Sequence, residues 1–394
     1  MRKQSLPLEG VKVLDLTSVV MGPFATQVLG DFGAEIIKIE EPNGDITRVI
    51  GPGRNYGMAS LYMGSNRNKK SLVLNLKKQK AKEALWKLIE DADIFIHNIR
   101  PQKIAALGFD PDTVMKNNSK IVYVGLHGYR EDGPYGGQPA FDDVIQGQSG
   151  IAGAFQARDN VPNLAPTIVA DKSTALLAST GLLAAYIKRL KTGKGSFLEV
   201  CMFEGMVGYI MIEHHAGETY IPPIDKVGYS RVLSRFRRPH KTKDGYMCIL
   251  PYTDNQYEKF WRAVKRSDYA NDERFNSIKN RSKNISELYE IIGEIAAETK
   301  TDKLVEILTE AEIPCGAVNT LEDLKKDPHL KEVGFFREFQ HPSEGLIQVP
   351  DSAFRLDREE LPIRSHQPKL GEHSEEILKK IGYDDIEIKE ILDN

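Results

Sequence analysis

Cysteine is scarce in this sequence, and the few cysteines lie far apart. Cys201, Cys248 and Cys315 form no CxxC pair and have no histidine at metal-ligand spacing. The spacing therefore predicts neither a disulfide framework nor a structural zinc site. We expect all three thiols to be reduced and mostly buried, and we expect no metal in the functional site.

Long apolar runs are also missing. No uninterrupted apolar stretch reaches the roughly 18 residues that a membrane-spanning helix needs. Two basic residues near the N-terminus are followed by no apolar segment of the kind found in secretory leaders. We therefore expect a soluble, cytoplasmic protein without a membrane partner.

The sequence has no excess of charge of either sign. Its 53 Lys and Arg residues nearly balance 56 Asp and Glu residues, which leaves a net charge of −3. A nucleic-acid partner is not predicted, and an anionic ligand would need a local basic site. At 394 residues and 41% hydrophobic composition the chain is long enough for two or three domains.

Short β-rich segments alternate with helical patterns in the first half of the chain. The predicted strands cover residues 11–16, 35–40, 71–76, 93–98 and 120–128. This alternation predicts an α/β fold, with a Rossmann-like parallel sheet and right-handed crossovers. No GxGxxG or GxxxxGK[ST] motif follows the first strand, so a dinucleotide or nucleoside triphosphate site is not predicted.

The composition changes after Gly217. A hairpin with an Asp244-Gly245 turn is predicted, followed by a largely helical stretch over 255–303 and a short helix over 321–327. We predict a large Rossmann-like domain over 1–224, a smaller α+β domain over 225–325 and a C-terminal segment over 326–394 that returns to the large domain.

Asp171 is the acid at the start of a long segment of small and apolar residues. Nearly every residue from 167 to 186 is small or apolar, which predicts a buried helix in which a carboxylate is costly unless it is used. From the pattern alone, a helix N-cap is the more common explanation. A nucleophilic role is compatible with it, because a helix N-terminus keeps a carboxylate ionised.

The segment that begins at Asp171 has the pattern D-x-x-T…G-L-L-A-A…T-G-x-G and resembles the class III CoA-transferases. That family includes formyl-CoA:oxalate and carnitine CoA-transferases and the related α-methylacyl-CoA racemases. The resemblance extends from Leu8 to about Leu392. Among its seven blocks are LEGVKVLDLT, GPFATQVLGDFGAEIIKIE and LGEHSEEIL, and their order makes the resemblance specific.

The resemblance implies a mechanism, substrates and an assembly. Asp171 would be the catalytic nucleophile, coenzyme A thioester and a carboxylic acid would be the substrates, and no cofactor would be bound permanently. Family members form interlocked homodimers, and the same is implied here. The resemblance also places CoA contacts at the carboxyl ends of the strands, where open α/β sheets bind ligands: Val20, Met21, Leu74, Asn75, Lys77, Asn98, Arg100, Phe141 and Asp142.

The Phe141-Asp142 pair separates two activities within this family. Racemases have a His-Asp pair at this place, whereas transferases have an aromatic residue followed by an acid. Phe141 cannot transfer a proton, so the pair favours CoA transfer over racemisation, unless His127 substitutes as a base. A non-catalytic acyl-CoA-binding protein is a third possibility, against which Asp171 argues.

Two basic clusters have alternative interpretations. One lies within residues 67–77 and contains Arg67, Lys69, Lys70 and Lys77. This cluster, with Arg48, predicts either a solvated sheet edge or a phosphate site.

The other basic cluster precedes Pro239 and contains Arg231, Arg235, Arg237 and Arg238. It predicts either a solvated surface or a site for the carboxylate of an acidic substrate, since guanidinium groups bind carboxylates bidentately. The stretch RRPHKTKDGY resembles family members that use succinyl-CoA and small dicarboxylic acids. The identity of the donor and acceptor acids stays open.

Overall fold

The computed structural model describes residues 5–393. The chain divides into two compact units. The first contains the described residues up to Ser149, Ala165–Tyr209 and those from Gly334 onward, and the second contains Gly150–Leu164 and Ile210–Val333. This division describes packing, so the domain boundaries at 224/225 and 325/326 stay a prediction.

The secondary structure follows the predicted alternation closely. The strands are β1 (Lys12–Leu16), β2 (Glu35–Glu40), β3 (Lys69–Val73), β4 (Ile94–His97), β5 (Val122–His127), β6 (Ser196–Cys201), β7 (His240–Lys241), β8 (Tyr246–Ile249), β9 (Cys315–Ala317), β10 (Phe336–His341), β11 (Gly345–Pro350), β12 (Arg355–Leu356) and β13 (Glu359–Glu360). The helices are α1 (Met21–Asp31), α2 (Ser60–Met63), α3 (Gln79–Glu90), α4 (Pro101–Leu107), α5 (Pro111–Asn117), α6 (Asp142–Gln148), α7 (Ile151–Asp159), α8 (Val169–Thr192), α9 (Met202–His214), α10 (Ser230–Leu233), α11 (Asp254–Ala263), α12 (Ile278–Lys283), α13 (Ile285–Ala297), α14 (Thr301–Glu310), α15 (Pro328–Glu332), α16 (Ser374–Lys380) and α17 (Asp385–Leu392).

The first unit is built on a six-stranded sheet with the order β3-β2-β1-β4-β5-β6. Every neighbouring pair in it is parallel, which confirms the predicted α/β class. The strand order reverses between β1 and β4. Loops on opposite sides of such a reversal diverge at the carboxyl edge and leave a crevice in which α/β proteins bind ligands.

One large hydrophobic core packs against a face of this sheet. Phe95 and Tyr123 stack with ring centroids 5.2 Å apart, and Leu85 of α3 is fully buried beside them. Helices α16 and α17 pack against β3 and α3, so Ile377 and Ile391 join the same core. This core thereby joins chain segments that are far apart in sequence.

The second unit contains the antiparallel sheet β7-β8-β9 and a helical core around Phe260 and Trp261. His240 pairs with Met247 across the predicted Asp244-Gly245 hairpin. Helix α11 begins with a capping box, in which Thr253 and Gln256 each bond the other's backbone amide. The predicted helix over 321–327 is only a 3-10 turn at Asp323–Lys325.

Two further expectations are corrected here. Helix α8 is not buried all round: Ala178 and Leu182 are inaccessible, whereas Leu177 and Leu190 on other faces are exposed. The cysteines are free, but Cys248 is exposed because alternate residues of β8, the central strand of its sheet, face solvent. Within residues 5–393, no helix is long and apolar enough to cross a membrane.

Candidate active site

The crevice between β1 and β4 is shaped by Asn98. The Asn98 side chain accepts a hydrogen bond from the Ser18 amide at 3.0 Å and donates one to the Ser18 carbonyl at 2.8 Å. The next residue, Val19, has φ of 70°, a left-handed conformation that is strained for a β-branched side chain. Its amide donates to the Asp45 carboxylate at 3.2 Å. The loop after β1 is therefore fixed from both sides.

A cavity of about 260 Å³ lies at this edge of the sheet. Its wall comes from the ends of β1, β4 and β5, from the loop before α6 and from the start of α8, and it includes Ser18, Val19, Met21, Asn98, Arg100, His127, Tyr129, Phe141, Asp171 and Met202. All of these residues belong to the first unit.

Five helices begin at the cavity. Met21 starts α1 and Met202 starts α9, Arg100 and Phe141 occupy the N-cap positions of α4 and α6, and Asp171 lies in the first turn of α8. Helix N-termini carry backbone N–H groups without intrahelical partners and the positive end of the helix dipole. The arrangement favours negative charge in the cavity.

Asp171 is not the N-cap that its pattern suggested. Helix α8 begins at Val169, and its N-cap position is Ile168, which makes no side-chain capping bond. The carboxyl group of Asp171 reaches the cavity. Burial raises the pKa of Asp171 to about 6, and the nearby Asp142 carboxylate adds to the rise.

Asp142 is held between two chain segments. Its Oδ1 atom accepts a hydrogen bond from the Asp171 amide at 2.9 Å, and its Oδ2 atom accepts one from Gln146 Nε2 at 2.5 Å. Gln146 Oε1 in turn accepts from the Ala165 amide at 2.9 Å, and Nε2 also donates to the Thr167 carbonyl at 3.3 Å. Gln146 thus ties Asp142 to the segment that enters α8.

Sequence reasoning missed Gln146. It is only 1% exposed, although glutamine is usually at the surface. The available signal is its spacing: Gln146 lies four residues after Asp142, and residues four apart on a helix share a face.

The remaining predicted CoA contacts fall into two groups. Met21, Asn98, Arg100 and Phe141 line the cavity together with Asp171. Val20, Leu74, Asn75 and Lys77 are not among its lining residues. Val20 is buried at the N-cap of α1, and Leu74 lies in the core at 1% exposure. Asn75 and Lys77 share the turn after β3, where the Lys77 amide donates to Asn75 Oδ1 at 3.2 Å. All of these contacts stay predictions.

The first basic cluster is neither a solvated edge nor a phosphate site at its core. Lys69 Nζ lies 3.1 Å from Asp15 Oδ2, and both side chains are fully buried. Arg67 forms a pair of hydrogen bonds with Asp31, at 2.9 and 2.6 Å. Lys70 lies nearer the surface, and its Nζ atom is 2.7 Å from Glu376 Oε1.

Arg48, which was a second candidate for a phosphate, is also occupied. Its Nε and Nη2 atoms donate to the two oxygens of Glu40, each at 2.7 Å, and both side chains are buried. Lys38 Nζ donates to Asp45 Oδ2 at 3.0 Å close by. We call Asp15, Lys38, Glu40, Asp45, Arg48 and Lys69 the buried charge cluster.

His127 stands in the cavity wall but points to a carboxylate. Its Nδ1 atom is 2.9 Å from Glu199 Oε1, which also accepts the Glu131 amide at 3.0 Å. Ligand atoms of these three residues lie within 4.8 Å of one another, which is close enough to hold a metal ion. These contacts link β5, β6 and the loop after β5 at the cavity wall.

The geometry suits nucleophilic chemistry at a carbonyl group. A carboxylate can form a covalent acyl intermediate, and amide donors at helix N-termini can stabilise the oxyanion that develops. Asp171 supplies the first and the starts of α1, α4 and α6 supply the second.

Comparisons with known proteins show the family of the chain. The family model for CoA-transferase family III matches residues 8–374. Human succinyl-CoA:glutarate CoA-transferase is 31% identical, and the alignment covers 98% of this chain and 89% of that protein. Cinnamoyl-CoA:phenyllactate CoA-transferase of Clostridium sporogenes is also 31% identical, over 97% of this chain and 95% of its own.

Solved structures resemble the fold over nearly its whole length. A CAIB/BAIF family protein from Brucella suis aligns with a TM-score of 0.80 at 28% identity, covering 96% of this chain and 100% of that chain. The sheet topology, the cavity and the family match lead to the same result: the chain belongs to CoA-transferase family III.

Proposed function

We propose that this protein moves coenzyme A between an acyl-CoA and a carboxylic acid, with Asp171 as the nucleophile. The observation that carries the proposal is the position of Asp171 in a cavity where five helices begin. The family match supports it, since relatives that cover nearly the full chain are named CoA-transferases.

The first half-reaction transfers CoA to the enzyme. A carboxylate oxygen of Asp171 attacks the thioester carbonyl, the C–S bond breaks, and CoA leaves as a thiolate while a mixed anhydride forms. The thiolate then attacks the Asp171 carbonyl carbon and expels the donor acid as its carboxylate. An aspartyl-CoA thioester remains.

The second half-reaction runs the same steps in reverse with the acceptor acid. The acceptor carboxylate attacks the aspartyl thioester and releases the thiolate, which forms a second mixed anhydride. Attack of the thiolate on the acceptor's carbonyl carbon gives the new acyl-CoA and restores the Asp171 carboxylate. No electrons leave or enter, so the cycle needs no redox cofactor, and the proposal includes no permanently bound one.

The surroundings of Asp171 serve this cycle in three ways. Burial and Asp142 raise the pKa of Asp171, which makes its carboxylate a stronger nucleophile while it stays ionised at neutral pH. The helix N-termini offset the negative charge of the tetrahedral intermediates and of the thiolate. Exclusion of water would protect both the anhydride and the thioester from hydrolysis.

The finer assignments belong to the same proposal. Met21, Asn98, Arg100 and Phe141 contact the acyl-CoA from the cavity wall, and Val20, Leu74, Asn75, Lys77 and Asp142 shape its site. A dicarboxylic acid such as succinate or glutarate is the proposed acid partner, supported by the name of the human relative and by the stretch RRPHKTKDGY. We also propose an interlocked homodimer and a cytoplasmic location.

Covalent trapping tests the proposal directly. The protein is incubated with succinyl-CoA and then treated with hydroxylamine or borohydride, and modified peptides are mapped by mass spectrometry. We expect modification at Asp171. Asp171→Asn is expected to lower transfer about 10⁴-fold or more, because the nucleophile is removed.

The matched control is Asp143→Asn, which changes an exposed acid in the first turn of α6 and is expected to keep transfer. An unmodified Asp171, together with exchange of the α-proton of a 2-methylacyl-CoA in heavy water, would replace the transferase proposal with racemisation.

A further inference from the structure

A second cavity lies entirely within the second unit and is lined by charged residues. It measures about 460 Å³, and its wall consists of Arg158, Asp159, Asn160, Arg235 and Arg238. Three guanidinium groups thus face one carboxylate. Like charges gathered around a cleft repel one another unless a ligand of opposite charge joins them.

The single carboxylate does not neutralise all three arginines. Arg158 donates to Asp159 Oδ2 through Nε at 3.0 Å and Nη2 at 2.7 Å. Arg238 Nη2 stands 3.7 Å from Asp159 Oδ1, which is too long for a hydrogen bond. Arg235 forms no ion pair with Asp159 within the described residues. Two positive charges therefore remain uncompensated around the cavity.

The three arginines have further contacts that do not use all of their N–H groups. The Arg158 guanidinium lies 5.1 Å from the Phe155 ring centre, and that of Arg235 lies 5.3 Å from the Phe236 ring centre. Arg238 Nε donates to the Arg235 carbonyl at 2.6 Å. These contacts orient the guanidinium groups and leave terminal N–H groups of the exposed Arg235 and Arg238 available to an anion.

We propose that this cavity binds a small ligand with two negative charges, through carboxylate or phosphate oxygens held by Arg235 and Arg238. Planar guanidinium groups bind both kinds of oxyanion bidentately. The volume exceeds what one carboxylate fills and suits a short dicarboxylate or a phosphate-bearing fragment. This ligand could be a dicarboxylic acid or the phosphate groups of CoA, and both choices rest on the proposed function.

Isothermal titration calorimetry on the full-length protein at low ionic strength tests the site. Glutarate and adenosine 3′,5′-bisphosphate are the two probes, and butyrate is the matched acid without the second charge. In Arg235→Gln/Arg238→Gln, the dissociation constant of the bound dianion is expected to rise about tenfold or more, because charge-assisted hydrogen bonds are lost. Butyrate binding should not change.

Asp159→Asn is expected to change the dianion affinity in the opposite direction. Removing the competing carboxylate is expected to tighten dianion binding several-fold, which simple disruption of the fold cannot do. Arg262→Gln is the control, since Arg262 is exposed on α11 and pairs with Glu258 at 2.8 Å. Its variant should bind both probes as the unchanged protein does.

The outcomes separate the two ligand sources and the two proposals. Weakened glutarate binding supports a dicarboxylate site, and weakened bisphosphate binding supports a CoA phosphate site. Unchanged binding of both probes in a double variant that melts normally would overturn the site. Arginine-dependent binding in a protein whose Asp171 is never trapped would keep the site and overturn only the proposed function.

Discussion

Two groups of buried carboxylates in the first unit have opposite surroundings. In the buried charge cluster each carboxylate has a cation: burial acts to raise the pKa of Asp15, but Lys69 and Lys38 hold it below its ordinary value. Asp171 has another carboxylate, Asp142, as its neighbour, and burial with that charge raises its pKa to about 6. Burial is common to both groups, so the sign of the nearest charge separates the structural carboxylates from the candidate catalytic one.

The comparison predicts that the buried charge cluster matters chiefly for stability. Lys69→Met leaves the fully buried Asp15 without its nearest cation, so we expect the free energy of unfolding to fall by about 3 kcal/mol. Denaturant unfolding followed by circular dichroism measures the loss. Trapping at Asp171 in the protein that remains folded should be unaffected.

The neighbouring residue provides the control for this change. Lys70 pairs with Glu376 at a partly exposed site, so Lys70→Met is expected to change stability by no more than about 1 kcal/mol. Equal losses in the two variants would show that burial of the Asp15–Lys69 pair contributes nothing special.

The sequence predicted the parallel sheet well but the basic cluster poorly, and both have physical reasons. Local apolar runs predict strands β1, β2, β4 and β5. Strand β3 begins at Lys69, two residues before the predicted start, because Lys69 pairs in register with Ile36. A buried lysine is tolerable only beside Asp15, which lies 54 residues away and is invisible to local patterns.

The candidate site shows the same limit. The resemblance and the run of small residues predict a role for Asp171, and the structure places this residue in the cavity wall. Gln146 has no local signature, since its role consists of bonds to Asp142 and to the 165–167 segment that form only when α6 and α8 pack together. A side chain whose contacts lie on distant segments is therefore harder to predict than one marked by its own sequence pattern.

Gln146→Leu tests the second group of carboxylates, Asp142 and Asp171. The variant removes the donor to Asp142 and the acceptor for the Ala165 amide, so Asp142 and the start of α8 lose a shared support. We expect kcat to fall about tenfold with little change in KM, since displacement of a catalytic group by less than 1 Å has effects of that size or more. Steady-state kinetics with succinyl-CoA and glutarate gives both values.

Gln27→Leu is the control for Gln146→Leu. Gln27 is 3% exposed, and its side chain accepts the Arg67 amide at 3.1 Å, away from Asp142. It should lose comparable stability but keep kcat. A fall in kcat that is equal in both variants would mean that Gln146 acts only through general packing.

The smallest expected effect tests the sign of the charge beside Asp171. The nucleophile must be ionised, so kcat/KM is expected to rise with pH through a midpoint at about 6. Asp142→Asn removes the neighbouring negative charge and therefore moves this midpoint to lower pH. Burial, the larger cause, persists, so the midpoint should stay above the ordinary value of 3.8.

The pH profile of kcat/KM also separates Asp142 from its neighbour. Asp143→Asn removes a charge of the same sign from the same helical turn, but from an exposed side chain that water and salt screen. Its profile should match that of the unchanged protein. If Asp142→Asn also left the midpoint in place, burial alone would raise the pKa of Asp171. The two groups of carboxylates would then differ only because Asp171 has no neighbouring cation, and the charge of Asp142 would have no part in the difference.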